Sequence, residues 1–213
     1  MLVEKIRVSA GELSRGFVCS TFMIDGKTTA GKKKILAVSG STRKNSTSES
    51  ILNAIAALCS EALEIDIYLV IASLPHFNPD LDNDDVPSTV KHFRESIEHS
   101  DGVILCTPEY VHALPGAFKN AIDWTVSTTL FSNKPTAMIV ASTGGEKAFE
   151  SLQLILQTLG ANVADQSKLL LQGARSRVDD HGRFADPTAL DKIRNVVDSL
   201  LTTINSNHPQ EAV

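Results

Sequence analysis

Short apolar runs alternate with amphipathic helical patterns along most of the chain, and this alternation limits the folds that it can adopt. Runs that fit buried strands lie at 35–38, 65–70, 102–106, 136–140 and 162–171. Helical spacing of apolar residues follows each of them, at 51–58, 89–99, 114–127, 146–159 and 187–204. Strands that alternate with helices predict an α/β fold, in which a doubly wound parallel sheet carries helices on both faces.

The same patterns predict one domain between two short flanking segments. Residues 1–31 end in a linker-like run of Gly, Lys, Thr and Ala, and we expect a poorly ordered N-terminal extension there. Residues 32–206 contain all the strand and helix patterns and form the domain, whereas 207–213 form a C-terminal tail. A domain of this length can bury a sufficient core without a metal or a disulfide.

Composition excludes several kinds of partner. Lys and Arg number 20 against 25 Asp and Glu, and the net charge of −5 leaves no basic surplus for nucleic acid. No apolar run approaches the roughly 18 residues of a membrane span. Cys19, Cys59 and Cys106 lack C-x-x-C spacing, which argues against a disulfide framework or a zinc site and favours the reducing cytoplasm.

No metal site is expected either. The six histidines show no ligand spacing. The Asp-rich stretch at 80–85 resembles the start of a calcium loop, but Asp85 and Lys91 stand where an EF-hand requires Gly and Glu. We therefore interpret this stretch as a solvated acidic loop.

The loops after the first, third and fourth strands form the candidate site, because open α/β sheets bind ligands beyond the carboxyl ends of their strands. The first of these loops, 39–48, is rich in hydroxyls, carries Arg43 and Lys44 and leads into a helix start. Helix N-terminal N–H groups, hydroxyls and a guanidinium together favour a phosphate. The loop lacks G-x-G-x-x-G and the nucleoside-triphosphate P-loop pattern, which argues against both of those phosphate-binding classes.

The other two loops favour a flat ligand. In the segment 108–115, two prolines stiffen the chain and display Tyr110 and His112 at a strand end, where an aromatic ligand can lie. In the segment 141–147, Gly144 and Gly145 let the backbone approach a ligand closely.

Three motifs together carry a resemblance to a known family. They are G-S-T-R-K-N-S at 40–46, P-E-Y at 108–110 followed by P-G-A-F-K-N-A-I-D-W at 115–124, and S-T-G-G at 142–145. From about residue 33 to residue 201 the chain resembles the NAD(P)H-dependent FMN reductases, a flavodoxin-like group that includes quinone, chromate and azo-dye reductases. The resemblance implies a five-stranded parallel sheet in the order 2-1-3-4-5 and a bound FMN.

The resemblance also implies which residues hold FMN. The phosphate belongs in the first loop and the ring between the other two, and no side chain is expected to act as an acid or base because the flavin carries the chemistry. The implied set is Ser41, Arg43, Ser46, Thr47 and Ser48 for the phosphate, Pro108, Glu109, Tyr110 and Val111 for the ring, and Thr143, Gly144 and Gly145 for its polar edge.

Three positions depart from the family pattern. Val111 stands where Asn is usual, Ser48 where Asn is frequent, and Asn45 where Gly is common. Loss of a side-chain amide beside the ring is expected to weaken flavin binding or to shift its potential.

The implied function is that of an NAD(P)H-dependent FMN oxidoreductase. NADPH or NADH gives a hydride to FMN, and two electrons then pass to a quinone-like, azo, metal-oxyanion or free-flavin acceptor by a ping-pong mechanism. A homodimer or homotetramer is expected. Two alternatives stay open: a flavodoxin-like one-electron carrier, whose usual T-x-T-G-x-T loop Arg43 fits poorly, and a non-catalytic flavin-binding sensor.

Overall fold

Five parallel strands form the centre of the molecule. The structure, a computed structural model, describes residues 31–179, 181–184 and 186–207. The strands pair in the order β2-β1-β3-β4-β5, and every pairing is parallel. Their bounds are β1 (Lys33–Ser39), β2 (Leu63–Tyr68), β3 (Gly102–Thr107), β4 (Thr136–Ser142) and β5 (Lys168–Gln172). The predicted flavodoxin-like sheet and its strand order are confirmed.

Helices cover both faces of the sheet, as predicted. They are α1 (Thr47–Leu58), α2 (Ser88–Glu98), α3 (Gly116–Asp123), α4 (Glu146–Thr158) and α5 (Pro187–Asn207). The buried side chains of α1 and α5 pack on one face, and those of α2, α3 and α4 on the other. Successive residues of a strand point to opposite faces, so Ile35 of β1 joins the first cluster and Leu36 the second. This two-sided burial explains why the central strands β3 and β4 are apolar runs, whereas the edge strand β2 alternates apolar and acidic residues.

Two elements are shorter than their sequence patterns predict. The fifth strand begins at Lys168 instead of 162, because Asn162 makes only an isolated bridge and a short 3-10 turn follows at Asp165–Ser167. The third helix ends at Asp123 instead of 127, because tertiary contacts fix Trp124. Its indole N–H donates to the Pro75 carbonyl at 2.8 Å, and its carbonyl accepts from Arg94 Nε at the same distance.

The chain ends lie largely outside the described residues. Of the predicted extension 1–31, only Gly31 is described, and the tail from 208 to 213 is not. Helix α5 runs to Asn207, three residues beyond its predicted end. Within the described part, no helix is long and apolar enough to cross a membrane, and no three His, Cys, Asp or Glu side chains are grouped to hold a metal.

The acidic loop at 80–85 is only partly solvated. The Asp82 side chain is 7 % exposed and its Oδ1 accepts from Arg94 Nη2 at 2.6 Å. Burial alone raises the pKa of Asp82, but hydrogen bonds from Arg94 and Ser127 and the Arg94 charge hold that pKa below its usual value. The interpretation as a solvated loop is therefore wrong for Asp82, which fastens the loop to α2 through an ion pair.

Candidate functional site

The three candidate loops meet at the carboxyl edge of the sheet, where the strand order switches between β1 and β3. The Gly40 N–H donates to the Cys106 carbonyl at 2.8 Å and so extends the pairing of these two strands. A Cβ added at Gly40 would lie 2.5 Å from Thr107 Cβ, which is far inside contact distance. Only glycine lets the first loop begin this close to the third strand.

A capping box shapes the end of the first loop. Ser46 is the N-cap of α1, and its Oγ accepts from the Glu49 N–H at 3.1 Å. Glu49 Oε2 in turn accepts from the Asn45 N–H at 2.8 Å. Asn45 has a φ of +53°, a left-handed conformation that Gly and Asn adopt more readily than other residues. This conformation explains the Asn at a position where Gly is common in the family.

The five residues predicted for the phosphate differ in what they present to a ligand. Arg43 is exposed and Thr47 half-buried, and the Arg43 guanidinium makes no hydrogen bond or ion pair with the described residues. Ser41 is buried, and its Oγ accepts from the Arg43 N–H at 3.3 Å. Ser46 is buried as the helix cap. Of these five residues, Arg43 and Thr47 thus have the most accessible side chains, and the neighbouring Lys44 adds a second exposed cation.

Ser48, the fifth of these residues, is turned towards the sheet. It is 1 % exposed, and its Oγ faces the thiol of Cys106 on β3. Burial raises the pKa of Cys106 to about 12, against a smaller lowering by the Ser48 hydroxyl. The buried Ser48 hydroxyl has no hydrogen-bond partner among the described residues, so it remains available to a ligand at the start of α1, and its contact with the phosphate stays a prediction.

The loop after β3 ends in a tight two-residue turn. The Tyr110 N–H donates to the Ala113 carbonyl and the Ala113 N–H to the Tyr110 carbonyl, both at 3.0 Å. Between them, Val111 and His112 both have positive φ, at +51° and +55°. The turn leaves Tyr110 50 % exposed and Val111 96 % exposed, whereas Pro108 is half-buried at the strand end. Tyr110 and Val111 therefore project from the carboxyl edge.

Glu109 joins the second loop to the third. Its side chain is 10 % exposed, and Oε2 accepts from the N–H of Ala148, the third residue of α4, at 2.9 Å. The N-cap of α4 is Gly145, which has no side chain with which to cap the helix. A carboxylate 39 residues earlier in the chain supplies this cap instead, and the positive end of the helix dipole favours its charge.

The loop after β4 needs glycine where the helix begins. Gly145 has a φ of +110°, and a Cβ there would lie 2.8 Å from Leu170 Cδ1 and 3.1 Å from Val140 Cγ1. Thr143 before it is exposed, and Gly144 lies between the Glu146 and Glu109 carboxylates. The loop therefore offers exposed backbone at Thr143 and partly at Gly144, with Glu109 of the β3 loop on one side and the end of β5 on the other.

One cation beside this loop escaped the sequence analysis. A depression of about 470 Å³ next to Thr143 is lined by Gly173, Arg175 and Ser176 from the loop after β5. The Arg175 guanidinium makes no hydrogen bond or ion pair with any residue that the structure describes. No motif marks this arginine, and only the β4–β5 pairing places it beside Thr143.

We expect Glu109→Ala to lower the free energy of unfolding by about 1–2 kcal/mol, because the Ala148 N–H loses its acceptor. Glu109→Gln should lose less of this stability, since its amide oxygen can still accept the hydrogen bond from the Ala148 N–H. Glu150→Ala, which removes an exposed carboxylate from the same helix, is the control and should cost under about 0.5 kcal/mol. Urea unfolding of the three variants measures this, and equal stability of Glu109→Ala and the parent protein would contradict the cross-loop cap.

Comparisons with known proteins agree with this arrangement. A family model described as NADPH-dependent FMN reductase matches residues 33–175. A quinone reductase of Pseudomonas putida strain KT2440 is 33 % identical over 160 residues, which are 72 % of this chain and 86 % of that protein. An NAD(P)H-dependent FMN reductase of Pseudomonas aeruginosa is 30 % identical over 172 residues, which are 78 % of this chain and 92 % of that protein.

A solved structure shows the same fold. FerB, a flavoenzyme NAD(P)H:(acceptor) oxidoreductase from Paracoccus denitrificans, aligns with a TM-score of 0.66 at 28 % identity. The alignment covers 82 % of this chain and 98 % of FerB. The family model spans the β1, β3 and β4 loops together, and two relatives share the pattern over most of their length. The chain therefore belongs to the NADPH-dependent FMN reductase family, and it is an oxidoreductase that uses FMN and NAD(P)H.

Proposed function

We propose that this protein reduces quinones at the expense of NAD(P)H, through FMN bound at the carboxyl edge of the sheet. The observation that carries the proposal is the joining of three loops at that edge, by the Gly40–Thr107 contact and by the Glu109–Ala148 hydrogen bond. Relatives named quinone reductase support the choice of acceptor.

The residues at this edge fit FMN. Arg43 offers an unpaired guanidinium beside the capped start of α1, which suits a terminal phosphate. Tyr110 and Pro108 border the ring on one side, and the Thr143–Gly144 backbone borders it on the other. FMN, when bound, supplies the chemistry by taking up a hydride from NAD(P)H and passing two electrons onwards.

The chain's own contribution is binding and electrostatics. Backbone N–H groups of the Thr143–Gly145 segment favour negative charge at the polar edge of the ring, and that charge grows on reduction. Glu109 holds this segment against the β3 loop, so the two walls of the ring site keep a fixed separation.

Donor and acceptor share one exposed surface in this proposal. The first and third strands bury their apolar faces under helices, which leaves the carboxyl edge as the open approach to the ring. NAD(P)H and the quinone must then bind in turn, and the kinetics are ping-pong. Double-reciprocal plots at several fixed quinone concentrations should be parallel, and intersecting lines would contradict the shared surface.

Arg175 serves the hydride donor. Its unpaired guanidinium in the depression beside Thr143 suits the extra 2′-phosphate that distinguishes NADPH from NADH. Arg175→Ala should raise the KM for NADPH about tenfold, because a charge-assisted contact to the 2′-phosphate is lost. The KM for NADH should stay within twofold. Steady-state kinetics with both donors measures this, and an equal change for NADPH and NADH would contradict the assignment.

Other acceptors extend the same chemistry. Azo dyes, metal oxyanions and free flavin can each take up two electrons at the same open site in place of a quinone. NADPH consumption measures the activity with each of them.

The protein acts as a homodimer or homotetramer in this proposal, and light scattering that gives about 23 kDa would contradict it. A cytoplasmic location fits Cys59 and Cys106, which are buried cysteines that form no disulfide with each other.

A further inference from the structure

Val111 has a backbone conformation that disfavours its own side chain. It occupies the first central position of the Tyr110–Ala113 turn, with a φ of +51°. Turns with two positive φ values are formed best by Asn-Gly, and β-branched residues are genuine outliers there. The other non-glycine residues with positive φ in the described ranges are Asn45, His112 and Asn133, none of them β-branched.

Burial does not offset this strain. The Val111 residue is 96 % exposed, so its two methyl groups pack on no other residue in the described part of the chain. A polar residue would suit both the conformation and the solvent. Strained residues persist where function uses them, and this strain lies next to Tyr110, which is half-exposed at the same edge of the sheet.

The turn that carries Val111 has a fixed place relative to the other loops. Glu109, two residues earlier, is tied to the start of α4 at 2.9 Å, and Tyr110 and Ala113 close the turn with two hydrogen bonds. Val111 thus presents an exposed apolar group on a rigid support beside the proposed ring site. A rigid and exposed apolar contact is suited to a ligand that arrives from solvent.

We propose that Val111 is a specificity-determining residue for the electron acceptor, and that it favours aromatic acceptors with an apolar fused ring or alkyl substituent over small polar quinones. This inference rests on the proposed function. Val111 takes no part in the electron transfer; its methyl groups lose their water when such an acceptor binds.

The test compares Val111→Asn with the parent protein, using the full chain loaded with FMN. Thermal unfolding of the apoprotein should shift upwards by about 2–4 °C, because Asn adopts positive φ more readily. The readout is the ratio of kcat/KM for menadione, a methylated naphthoquinone, to kcat/KM for benzoquinone, because any effect of the exchange on the bound flavin acts on both quinones alike. This ratio should fall about tenfold, which corresponds to two methyl groups no longer buried.

Two further variants separate strain from contact. Val111→Thr keeps the β-branch but replaces one methyl group with a hydroxyl, so it should lose part of the menadione preference without the gain in melting temperature. Val126→Asn makes the same exchange at an exposed valine that lacks positive φ. It should neither raise the melting temperature nor change the ratio of kcat/KM for the two quinones.

The ratio of kcat/KM for menadione to kcat/KM for benzoquinone decides the outcome. An unchanged ratio in Val111→Asn overturns the inference, and so does a changed mass in light scattering, which would place Val111 between two copies of the chain. If the parent protein binds FMN but reduces neither quinone with NAD(P)H, the proposed function itself fails and the inference falls with it. A reduced ratio with an intact parent activity supports both.

Discussion

Gly40→Ala is expected to lower the free energy of unfolding by about 3 kcal/mol, the upper end for overpacking a core position. The added Cβ would lie 2.5 Å from Thr107 Cβ and 3.0 Å from Thr107 Cα, and backbone cannot move aside as a flexible side chain does. Thr107 is fully buried, so β1 and β3 must separate at their carboxyl ends. Because the first two loops begin there, FMN affinity should fall as well.

A matched control and a compensating change test this explanation. Gly116→Ala adds the same methyl group at a position with no neighbour within 4 Å, and it should leave stability unchanged or slightly higher. Adding Thr107→Gly to Gly40→Ala removes the Thr107 side chain with which the new Cβ at position 40 would clash. The double variant should be more stable than the sum of the two single changes predicts. Urea unfolding of the parent protein and of the four variants measures this, and simple additivity of the two single changes would contradict the steric account.

Arg43→Ala is expected to weaken FMN binding roughly ten- to hundredfold, because a charge-assisted contact to the phosphate is worth about 1.5–3 kcal/mol. The Arg43 side chain is exposed and unpaired among the described residues, so its loss should not change the stability of the apoprotein. Titration of the apoprotein with FMN, followed by flavin fluorescence, gives the dissociation constant.

The control removes a positive charge elsewhere. Lys91→Ala lies on the exposed side of α2, and it should leave FMN affinity within twofold. Arg43→Lys keeps the charge but loses the planar bidentate contact, so its FMN affinity should lie between those of the parent protein and Arg43→Ala. Equal FMN affinity of Arg43→Ala and the parent protein would remove Arg43 from the site.

The sheet was predictable because its central strands are buried on both faces. Runs such as 102–106 and 136–140 are continuously apolar, and each is followed by a helix pattern, so the parallel sheet and its layering follow from general rules for α/β folds. The strand order, in contrast, was implied by the family resemblance. Boundaries were less predictable where tertiary contacts intervene. Nothing near Trp124 in the sequence shows that its indole binds the Pro75 carbonyl, 49 residues earlier, and ends the helix.

The site shows the same division between local and long-range information. The hydroxyl-rich loop and its helix cap are encoded within a few residues, and the sequence analysis found them. The tie between Glu109 and α4, and the position of Arg175 beside Thr143, depend on strand pairing that no local pattern contains. Ser48 stays a prediction, because its residue type suits a phosphate and its buried hydroxyl has no hydrogen-bond partner among the described residues.

One measurement tests the central claim most directly: the visible absorbance of the FMN-loaded full chain under anaerobic conditions, first after adding NADPH and then after adding a quinone. The account predicts that NADPH bleaches the bound flavin in stoichiometric amount, and that the quinone restores the oxidised spectrum in one two-electron turnover. Bound flavin that neither NADPH nor NADH bleaches would contradict it.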